Sequence, residues 1–268
     1  MASSPTRVNE TALLEVDDLT VRFGGLCAVN GLSFRVKTGE IKGLIGPNGS
    51  GKSTVFNSIS GVYRPQAGKI LFDGKNILKL PPHDRAKKGI LRTFQNIRLF
   101  SHMTVLDNVL VGLHTRMTGG VLESCFRLRR TAKEEEVREE SLRLLDLVHL
   151  REYADRPAST LSFGQQRWLE LTRALAAKPK LFLLDEIASG MSHSEAEETK
   201  ELLRSINREQ DVTLLVIEHN MGWVFGLCDS VVCMNFGSKL IDGTPEEVKN
   251  DRRVIEAYLG EADHAANP

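Results

Sequence analysis

The sequence predicts an α/β fold in which a largely parallel sheet is covered by helices on both faces. Three observations lead to this prediction. Short apolar runs alternate with helical stretches after Pro157, one apolar run (Ile41–Ile45) leads directly into a glycine-rich turn, and residues 97–162 are mainly helical. Parallel strands need long crossover connections, so such alternation is typical of a parallel sheet. The helical middle then predicts a subdomain inserted into the sheet domain.

The first elements differ from the later ones. Leu14–Phe23 and Leu32–Val36 alternate between apolar and polar residues and are interrupted by Gly24-Gly25 and Thr38-Gly39, which predicts antiparallel strands. The remaining predicted elements are a helix over Lys52–Ser60, strands over Lys69–Phe72, Lys180–Leu184, Val212–Ile217 and Ser230–Asn235, and helices over Gln165–Ala177 and Glu195–Arg208. The predicted organisation is a polar tail over 1–11, one domain over 12–260 and a flexible tail over 261–268.

Composition narrows the functional classes. The 268 residues contain 35 Lys+Arg and 35 Asp+Glu, so the formal charge is zero and a nucleic-acid partner is not expected. The four cysteines lack CxxC spacing and are predicted to be reduced. Residues 1–10 are polar without an apolar signal region, and no run approaches the roughly 18 apolar residues of a membrane helix. The sequence therefore predicts a cytoplasmic protein whose membrane role, if any, comes through partners.

A phosphate-binding loop follows the apolar strand Ile41–Ile45. Residues 46–53 match G-x-x-x-x-G-K-[ST] between a predicted strand and a predicted helix, which is the context that gives the motif its meaning. Backbone N–H groups of such a loop and the N-terminus of the following helix bind phosphate oxygens. Lys52 is expected to contact the β- and γ-phosphates, and the Ser53 hydroxyl to ligate Mg²⁺. The predicted nucleotide-binding residues of the loop are Gly46, Pro47, Asn48, Gly49, Ser50, Gly51, Lys52, Ser53 and Thr54.

Two further strands end in chemically active side chains. Leu181–Leu184 is followed by Asp185 and Glu186, at the sheet edge where ligands bind in open α/β folds. Asp185 is predicted to organise Mg²⁺ and Glu186 to act as general base on an attacking water. His219 follows the next apolar strand, and this position favours contact with the γ-phosphate over a purely structural role. With Lys52, these residues form the predicted catalytic set.

The six residues Leu161–Gln166, with the sequence Leu-Ser-Phe-Gly-Gln-Gln, are similar to the signature of the ATP-binding subunits of ABC transporters. Ser162 can offer its hydroxyl to an anion, Gly164 allows the anion to approach closely, and the helix that begins near Gln165 presents free backbone N–H groups. The same residues also suit a simple helix cap. The resemblance, which covers about residues 12–260, implies a P-loop NTPase of ABC ATPase type. It also assigns Phe23 to stacking on adenine, against a core residue as the alternative, and Gln95 to contact with Mg²⁺. The chemistry of a glutamine alone would not have singled out Gln95.

Several segments look more specifically like the larger ATP-binding subunit of branched-chain amino-acid importers. They are Arg22–Leu26, Arg92–Gln95, Arg98–Phe100, Met103–Val105, Ile217–His219 and Ala257–Ala262. Three features depart from the wider family: Phe163 replaces a glycine, Ile187 replaces a proline, and Ser189–Ser192 lacks the usual acidic or amide residue. The departures leave the hydrolysis rate and the coupling between sites open.

The resemblance also implies partners. Two subunits, identical or different, are expected to bind head to tail, so that Ser162, Gly164 and Gln165 of one cover the ATP of the other. Membrane permeases are expected to contact the region Arg98–Asn108, with a periplasmic or extracellular solute-binding protein completing the system on the other side. The chain would then lie peripherally on the inner face of the membrane.

Three alternatives remain open at this point. The first is an ABC ATPase outside transport, as in DNA repair or translation, although the chain has neither a long coiled-coil arm nor tandem ATPase halves. The second is a scaffold that binds ATP without turnover. The third is an importer of another solute, such as urea or a different amino acid, because the ATPase subunit does not contact the cargo.

Overall fold

Two β-sheets organise the chain in the computed structural model, which describes residues 9–93, 97–114 and 127–265. The smaller sheet is antiparallel and has the strand order β2-β1-β4-β5. Its strands are β1 (Asn9–Phe23), β2 (Leu26–Thr38), β4 (Ala67–Phe72) and β5 (Lys75–Asn76). The hairpin between β1 and β2 turns at Gly24, whose φ of 57° lies in the left-handed region that glycine adopts without strain.

The larger sheet has the order β10-β9-β3-β8-β7-β6. Its inner pairings are parallel, and only the edge strand β10 runs antiparallel to its neighbour β9. The strands are β3 (Ile41–Ile45), β6 (Ile90–Arg92), β7 (Leu181–Asp185), β8 (Thr213–Ile217), β9 (Ser230–Asn235) and β10 (Ser238–Gly243). Because β3, β7 and β8 are parallel neighbours, the segments after their carboxyl ends meet at one edge of the sheet.

Helices connect and cover these strands. They are α1 (Lys52–Ser60), α2 (Pro82–Lys87), α3 (Val105–His114), α4 (Arg127–Leu147), α5 (Phe163–Leu175), α6 (His193–Glu209), α7 (Met221–Leu227), α8 (Pro245–Asn250) and α9 (Arg252–Ala265). In the described ranges, no helix is both long and apolar enough to cross a membrane.

Alternating side chains of the parallel strands pack into two separate hydrophobic cores, one on each face of the sheet. On one face, Leu181 and Leu183 pack with α1 and the antiparallel sheet. On the other face, Phe182 and Leu184 pack with α3, α5 and α6. Successive strand residues point to opposite faces, so an entirely apolar strand is what a sheet covered on both sides requires.

The predicted α/β class, with an antiparallel N-terminal sheet and a mainly helical segment between β6 and β7, is confirmed. The described part of the helical segment contains α3 and α4 and leads into α5. Strands β5, β6 and β10 and helices α2, α8 and α9 were not predicted from the sequence. Helix α9 continues to Ala265, beyond the predicted domain limit at residue 260, and the flexibility predicted for residues 261–268 stays a prediction.

Candidate functional site

The loop between β3 and α1 has a backbone that tolerates only glycine at two points. Gly51, just before α1, has φ of 106°, and a Cβ there would lie 2.4 Å from the carbonyl oxygen of Ala28. At Gly46 a Cβ would lie 2.1 Å from the carbonyl oxygen of Met234. The loop is therefore packed tightly on β2 and β9, and both glycines are required by close backbone approach as well as by φ.

Lys52 begins α1 and folds back over this loop. Its Nζ donates hydrogen bonds to the carbonyl oxygens of Gly46 and Pro47, at 2.7 and 2.9 Å. Beneath the loop, the hydroxyl of Ser50 is buried without a hydrogen-bond partner in the described structure. A buried polar atom without a partner is costly, so a loop that places an ammonium group and such a hydroxyl together is suited to an anionic ligand.

A cavity of about 490 Å³ opens over the loop. It is lined by predicted site residues from the phosphate loop, by Phe23 on the β1–β2 hairpin, and by Glu186 and His219 from the ends of β7 and β8. The lining residues are Phe23, Leu26, Cys27, Ala28, Asn48, Gly49, Gly51, Lys52, Ser53, Thr54, Glu186, His219, Phe236 and Gly237. A cavity of this size suits a small molecule the size of a nucleotide.

Phe23 stands at the rim of this cavity and is 44% exposed. Its ring contacts Tyr63 edge-on, with the centroids 5.1 Å apart, so the aromatic side chain is held in place while much of it still faces solvent. The alternative role considered from the sequence, a core residue, does not fit this exposure. Leu26 and Phe236, at 67% and 86% exposure, extend the apolar rim and were not identified from the sequence as site residues.

Glu186 and His219 form a pair at the edge of the sheet. Glu186 Oε1 lies 2.5 Å from His219 Nε2, and the glutamate is the more buried of the two side chains. Glu186 has φ of 51°, in the left-handed region that is uncommon for a residue with a Cβ. Its backbone N–H donates to the carbonyl oxygen of Ile217 at 2.9 Å, which extends the β7–β8 pairing by one residue and fixes the turn.

Asp185 lies deeper and is paired with Arg92, which was not assigned to the site from the sequence. Its Oδ2 accepts a hydrogen bond of 2.7 Å from Arg92, and the two side chains are only 10% and 15% exposed. Arg92 also donates to Asn57 Oδ1 at 2.6 Å and lies over the ring of Phe56, so it joins α1, β6 and β7. This mostly buried ion pair holds the Asp185 carboxylate in place.

The donor set near the loop fits a magnesium ion rather than a metal held by protein alone. Mg²⁺ prefers oxygen ligands and is commonly bound through one or two carboxylates together with substrate phosphates. Asp185 and the exposed hydroxyl-bearing Ser53 supply oxygens of this kind. Within the described residues, no cluster of three or more His, Cys, Asp or Glu side chains could hold a metal by itself. The third predicted ligand, Gln95, lies outside the described residues.

The predicted signature residues lie at the start of α5 and do not line this cavity. Ser162 caps α5: its hydroxyl accepts the N–H of Gln165, whose side chain in turn accepts the N–H of Ser162. Gly164 is pressed against α6, because a Cβ there would lie 2.6 Å from Glu195 Oε1. Within this chain the turn therefore serves as the N-terminal cap of α5. The absence of a side chain at Gly164 allows Glu195 of α6 to pack closely against it.

The residues that depart from the wider family also have defined surroundings. Ile187 is fully buried in the core, which accounts for an apolar side chain at that position. The half-exposed ring of Phe163 lies beneath the Arg167 guanidinium and next to Gly190, so the start of α5 contacts the loop that follows Glu186. Ser192 caps α6 through a reciprocal pair of hydrogen bonds with Glu195.

The segment 97–108 is anchored to α5 by a buried carboxylate. Glu170 Oε1 accepts the backbone N–H of Arg98 at 3.2 Å, and its Oε2 lies 3.5 Å from Arg167 Nη1. Burial raises the pKa of Glu170, against the lowering effect of Arg98, Arg167 and Arg173. Phe100 stays half exposed beneath the guanidinium of Arg173, so the segment presents an aromatic side chain on a fixed backbone.

Comparisons with known proteins agree with this fold. Residues 29–189 match the ABC transporter family, and residues 239–264 match the family described as branched-chain amino acid ATP-binding cassette transporter. BraF of Pseudomonas aeruginosa, a high-affinity branched-chain amino acid transport ATP-binding protein, is 45% identical over 253 residues, covering 93% of this chain and 98% of BraF. LivG of Escherichia coli, which is described in the same words, is 41% identical over 253 residues, covering 93% of this chain and 98% of LivG.

Solved structures give the same result. An ATP-binding cassette of an ABC transporter in its ADP conformation aligns with a TM-score of 0.81 and 32% identity, covering 93% of this chain and 99% of that one. CbiO1 from Clostridium perfringens, part of an ABC transporter complex, aligns with a TM-score of 0.79 and 28% identity, covering 97% and 100%.

The chain therefore belongs to the ABC transporter family, as an ATP-binding, ATP-hydrolysing subunit. Within that family it belongs with the high-affinity branched-chain amino acid transport ATP-binding proteins. The family and the enzyme class predicted from the sequence are both confirmed.

Proposed function

We propose that this chain energises an importer of branched-chain amino acids by binding and hydrolysing ATP. The observation that carries the proposal is a single cavity in which the phosphate loop with Lys52 faces the Glu186–His219 pair. The cargo is inferred from the relatives, because the ATPase subunit has no contact with it. The C-terminal match over residues 239–264 and the 45% identical BraF support this cargo over urea or another amino acid.

ATP binds along the cavity from Phe23 to the phosphate loop. The adenine stacks on the exposed face of Phe23, and the phosphates lie against the loop over residues 46–54. The ammonium group of Lys52 exchanges the carbonyl oxygens of Gly46 and Pro47 for phosphate oxygens, which carry full negative charge.

The Ser53 hydroxyl, Asp185 and Gln95 would hold Mg²⁺ at this site. When bound, the ion neutralises charge on the phosphate oxygens. Asp185 keeps its orientation through Arg92 of β6, which donates a hydrogen bond to Oδ2. The chain supplies few protein ligands of its own, as is common for Mg²⁺ bound together with a nucleotide.

Glu186 acts as general base. Its carboxylate borders the cavity on the same side as the phosphate loop and accepts a proton from the attacking water. His219 holds that carboxylate through its Nε2 and, at the rim, contacts the γ-phosphate. Lys52 and His219 stabilise the charge that develops on the transferring phosphoryl group.

Each complete ATP site is shared between two subunits bound head to tail. The start of α5, with Ser162, Gly164 and Gln165, does not line the cavity of its own chain, and the exposed Ser162 at its first turn is available to the nucleotide of the partner. The hydrogen bonds of the Ser162 cap must then be shared with the phosphate or rearranged. The partner is a second copy or a related ATP-binding subunit.

Permease subunits bind at the segment Arg98–Asn108. Arg98, Phe100, Ser101 and His102 are exposed there, while Asn108 is buried and bonds both backbone groups of Phe100. A firmly anchored segment with exposed aromatic and basic side chains suits a protein interface. Through it the chain lies on the cytoplasmic face of the membrane, opposite the solute-binding protein of the complete importer.

A subunit-mixing experiment tests the shared site. Lys52→Ala disables ATP binding in its own chain, and Ser162→Arg blocks the signature turn that covers the partner. Each variant alone should be inactive, whereas an equal mixture should recover about a quarter of the wild-type ATPase rate, since half of the randomly formed dimers are mixed and have one intact site of two. An inactive mixture of variants that still form dimers in light scattering would contradict the head-to-tail arrangement.

A further inference from the structure

The carboxylate of Glu218 is a buried group that the proposed mechanism does not use. Glu218 stands between the last residue of β8 and His219, and only 4% of its surface is exposed. Charged side chains are seldom buried to this degree unless bonded, because desolvation opposes the charged form. Burial and the nearby Glu186 raise the pKa of Glu218, while hydrogen bonds from the backbone N–H groups of Ala188 and His219 lower it.

The partners of Glu218 belong to the loop that carries Glu186. Oε1 of Glu218 accepts the backbone N–H of Ala188 at 2.7 Å, although 30 residues separate them. Ala188 lies two residues beyond Glu186, and its carbonyl oxygen accepts the N–H of Met191 within the same turn. The buried Glu218 carboxylate thus accepts the hydrogen bond of the Ala188 N–H, in place of a backbone carbonyl of β8.

Three consecutive residues at the end of β8 each engage the loop. Ile217 accepts the N–H of Glu186 through its carbonyl oxygen, Glu218 accepts the N–H of Ala188 through its side chain, and His219 contacts the Glu186 carboxylate. These two hydrogen bonds hold the backbone N–H groups of Glu186 and Ala188, and Glu186 has a left-handed φ of 51°. Such a backbone persists only where the surroundings impose it, and Ile187, unlike a proline, does not restrict φ there.

We propose that Glu218 is a positioning residue for the general base: it holds the loop after β7 so that the Glu186 carboxylate stays aimed into the nucleotide cavity. The inference rests on the proposed role of Glu186 in ATP hydrolysis. Glu218 itself does not line the cavity. Its effect therefore falls on the rate of the chemical step and not on nucleotide affinity.

Two substitutions at Glu218 distinguish the effect of side-chain length from the effect of charge. Glu218→Gln keeps the length of the side chain and an acceptor oxygen but carries no charge. Glu218→Asp keeps the charge but is one methylene shorter, so its oxygen cannot hold the Ala188 amide without movement of the loop. A positioning role predicts that the first variant retains the wild-type kcat within about threefold, and that the second loses at least about tenfold, because misplacing a reacting group by about 1 Å costs up to about 100-fold.

The experiment uses the purified full-length chain and measures kcat and KM for Mg²⁺-ATP hydrolysis, together with the Kd of a fluorescent ATP analogue and thermal unfolding. The expected result is a lower kcat for Glu218→Asp alone, with Kd within about twofold of wild type in both variants. In a Glu186→Gln background, Glu218→Asp should cause no further loss, because the base it positions is already absent.

Other results would overturn the proposal. If Glu218→Asp is active and Glu218→Gln is inactive, the charge of Glu218 and not the length of its side chain is required for hydrolysis. Losses of kcat that follow losses of Kd or of thermal stability would show a merely structural role. A wild-type chain that forms dimers in light scattering and binds the analogue but does not hydrolyse ATP would instead contradict the role of Glu186, and with it the proposed function. If the Asp variant does not fold, Glu218→Leu, which has no acceptor for the Ala188 N–H, is measured in its place.

Discussion

Glu186 and His219 are joined by a contact of 2.5 Å between Oε1 and Nε2, although 33 positions separate them in the chain. The contact exists because β7 and β8 are parallel neighbours and the two residues follow their carboxyl ends. It brings an acid–base pair to the wall of the cavity that also contains the phosphate loop. The proposed chemistry of this chain follows from that juxtaposition.

Glu186→Gln tests the general base. The amide cannot accept a proton from water, so we expect kcat to fall by about 10²- to 10⁴-fold. Nucleotide affinity should change little, and an ATP-bound dimer should accumulate in light scattering because hydrolysis no longer separates the subunits. Glu15→Gln, a change at an ion pair on the antiparallel sheet, is the control and should leave kcat unchanged. Normal turnover by Glu186→Gln would remove Glu186 from the mechanism and favour another base.

Lys52→Ala tests the phosphate loop. The ammonium group is expected to make charge-assisted hydrogen bonds with phosphate oxygens, so its removal should weaken ATP binding by about 100-fold. Titration of a fluorescent ATP analogue measures this loss. Lys87→Ala, at an exposed ion pair with Asp84, is the matched control and should bind normally. Equal affinity of both variants would mean that the nucleotide does not contact Lys52.

Arg92→Met tests the ion pair with Asp185. Removing one partner leaves a mostly buried carboxylate without its cation, so the free energy of unfolding should fall by about 2–4 kcal/mol. Arg92→Lys should cost about half as much, because one ammonium group cannot reproduce the two bonds to Asp185 and Asn57. Urea-induced unfolding measures both losses.

The control for this prediction is Arg35→Met. Arg35 pairs with Glu15 on the surface, where an ion pair contributes only about 0–1 kcal/mol. If Arg92→Met and Arg35→Met cost the same, the Arg92–Asp185 pair does not stabilise the site.

The buried Glu218 predicts a pH dependence of stability. Its folded pKa lies above the ordinary value of 4.5, chiefly because of burial, with Glu186 acting in the same direction and His219 opposing it. The wild type should therefore lose stability as the pH rises from 4.5 through the raised folded pKa. Glu218→Gln should be free of this loss, so its advantage in thermal unfolding should be largest at neutral pH and shrink towards pH 4.5.

Glu195 provides a control of opposite sign. Hydrogen bonds from the backbone and hydroxyl of Ser192 lower the pKa of Glu195, so its carboxylate stabilises the fold above pH 4.5, and that stability is lost as the pH falls through the lowered folded pKa. Glu195→Gln should therefore destabilise the chain at neutral pH. The prediction for Glu218 fails if its Gln variant and the Glu195 variant shift stability in the same direction.

Local patterns were sufficient for much of the fold and site. The phosphate loop is encoded by a contiguous motif between a strand and a helix, and Asp185 with Glu186 follows an unbroken apolar strand. The C-terminal elements β10, α8 and α9 were not predicted: β10 lies at the edge of the sheet and is only partly buried, so its sequence lacks a continuous apolar run.

What the sequence determined by itself is the chemistry present: a loop that binds phosphate, an acidic strand end, a histidine and a family signature. Tertiary structure alone decided which groups meet. Arg92 and Asp185 are 93 positions apart, and Glu218 and Ala188 are 30 apart, so neither pair leaves a periodic or contiguous pattern in the chain. Both pairs arise because parallel neighbours β6, β7 and β8 end at the same edge of the sheet, and strand order is set by the packing of whole elements.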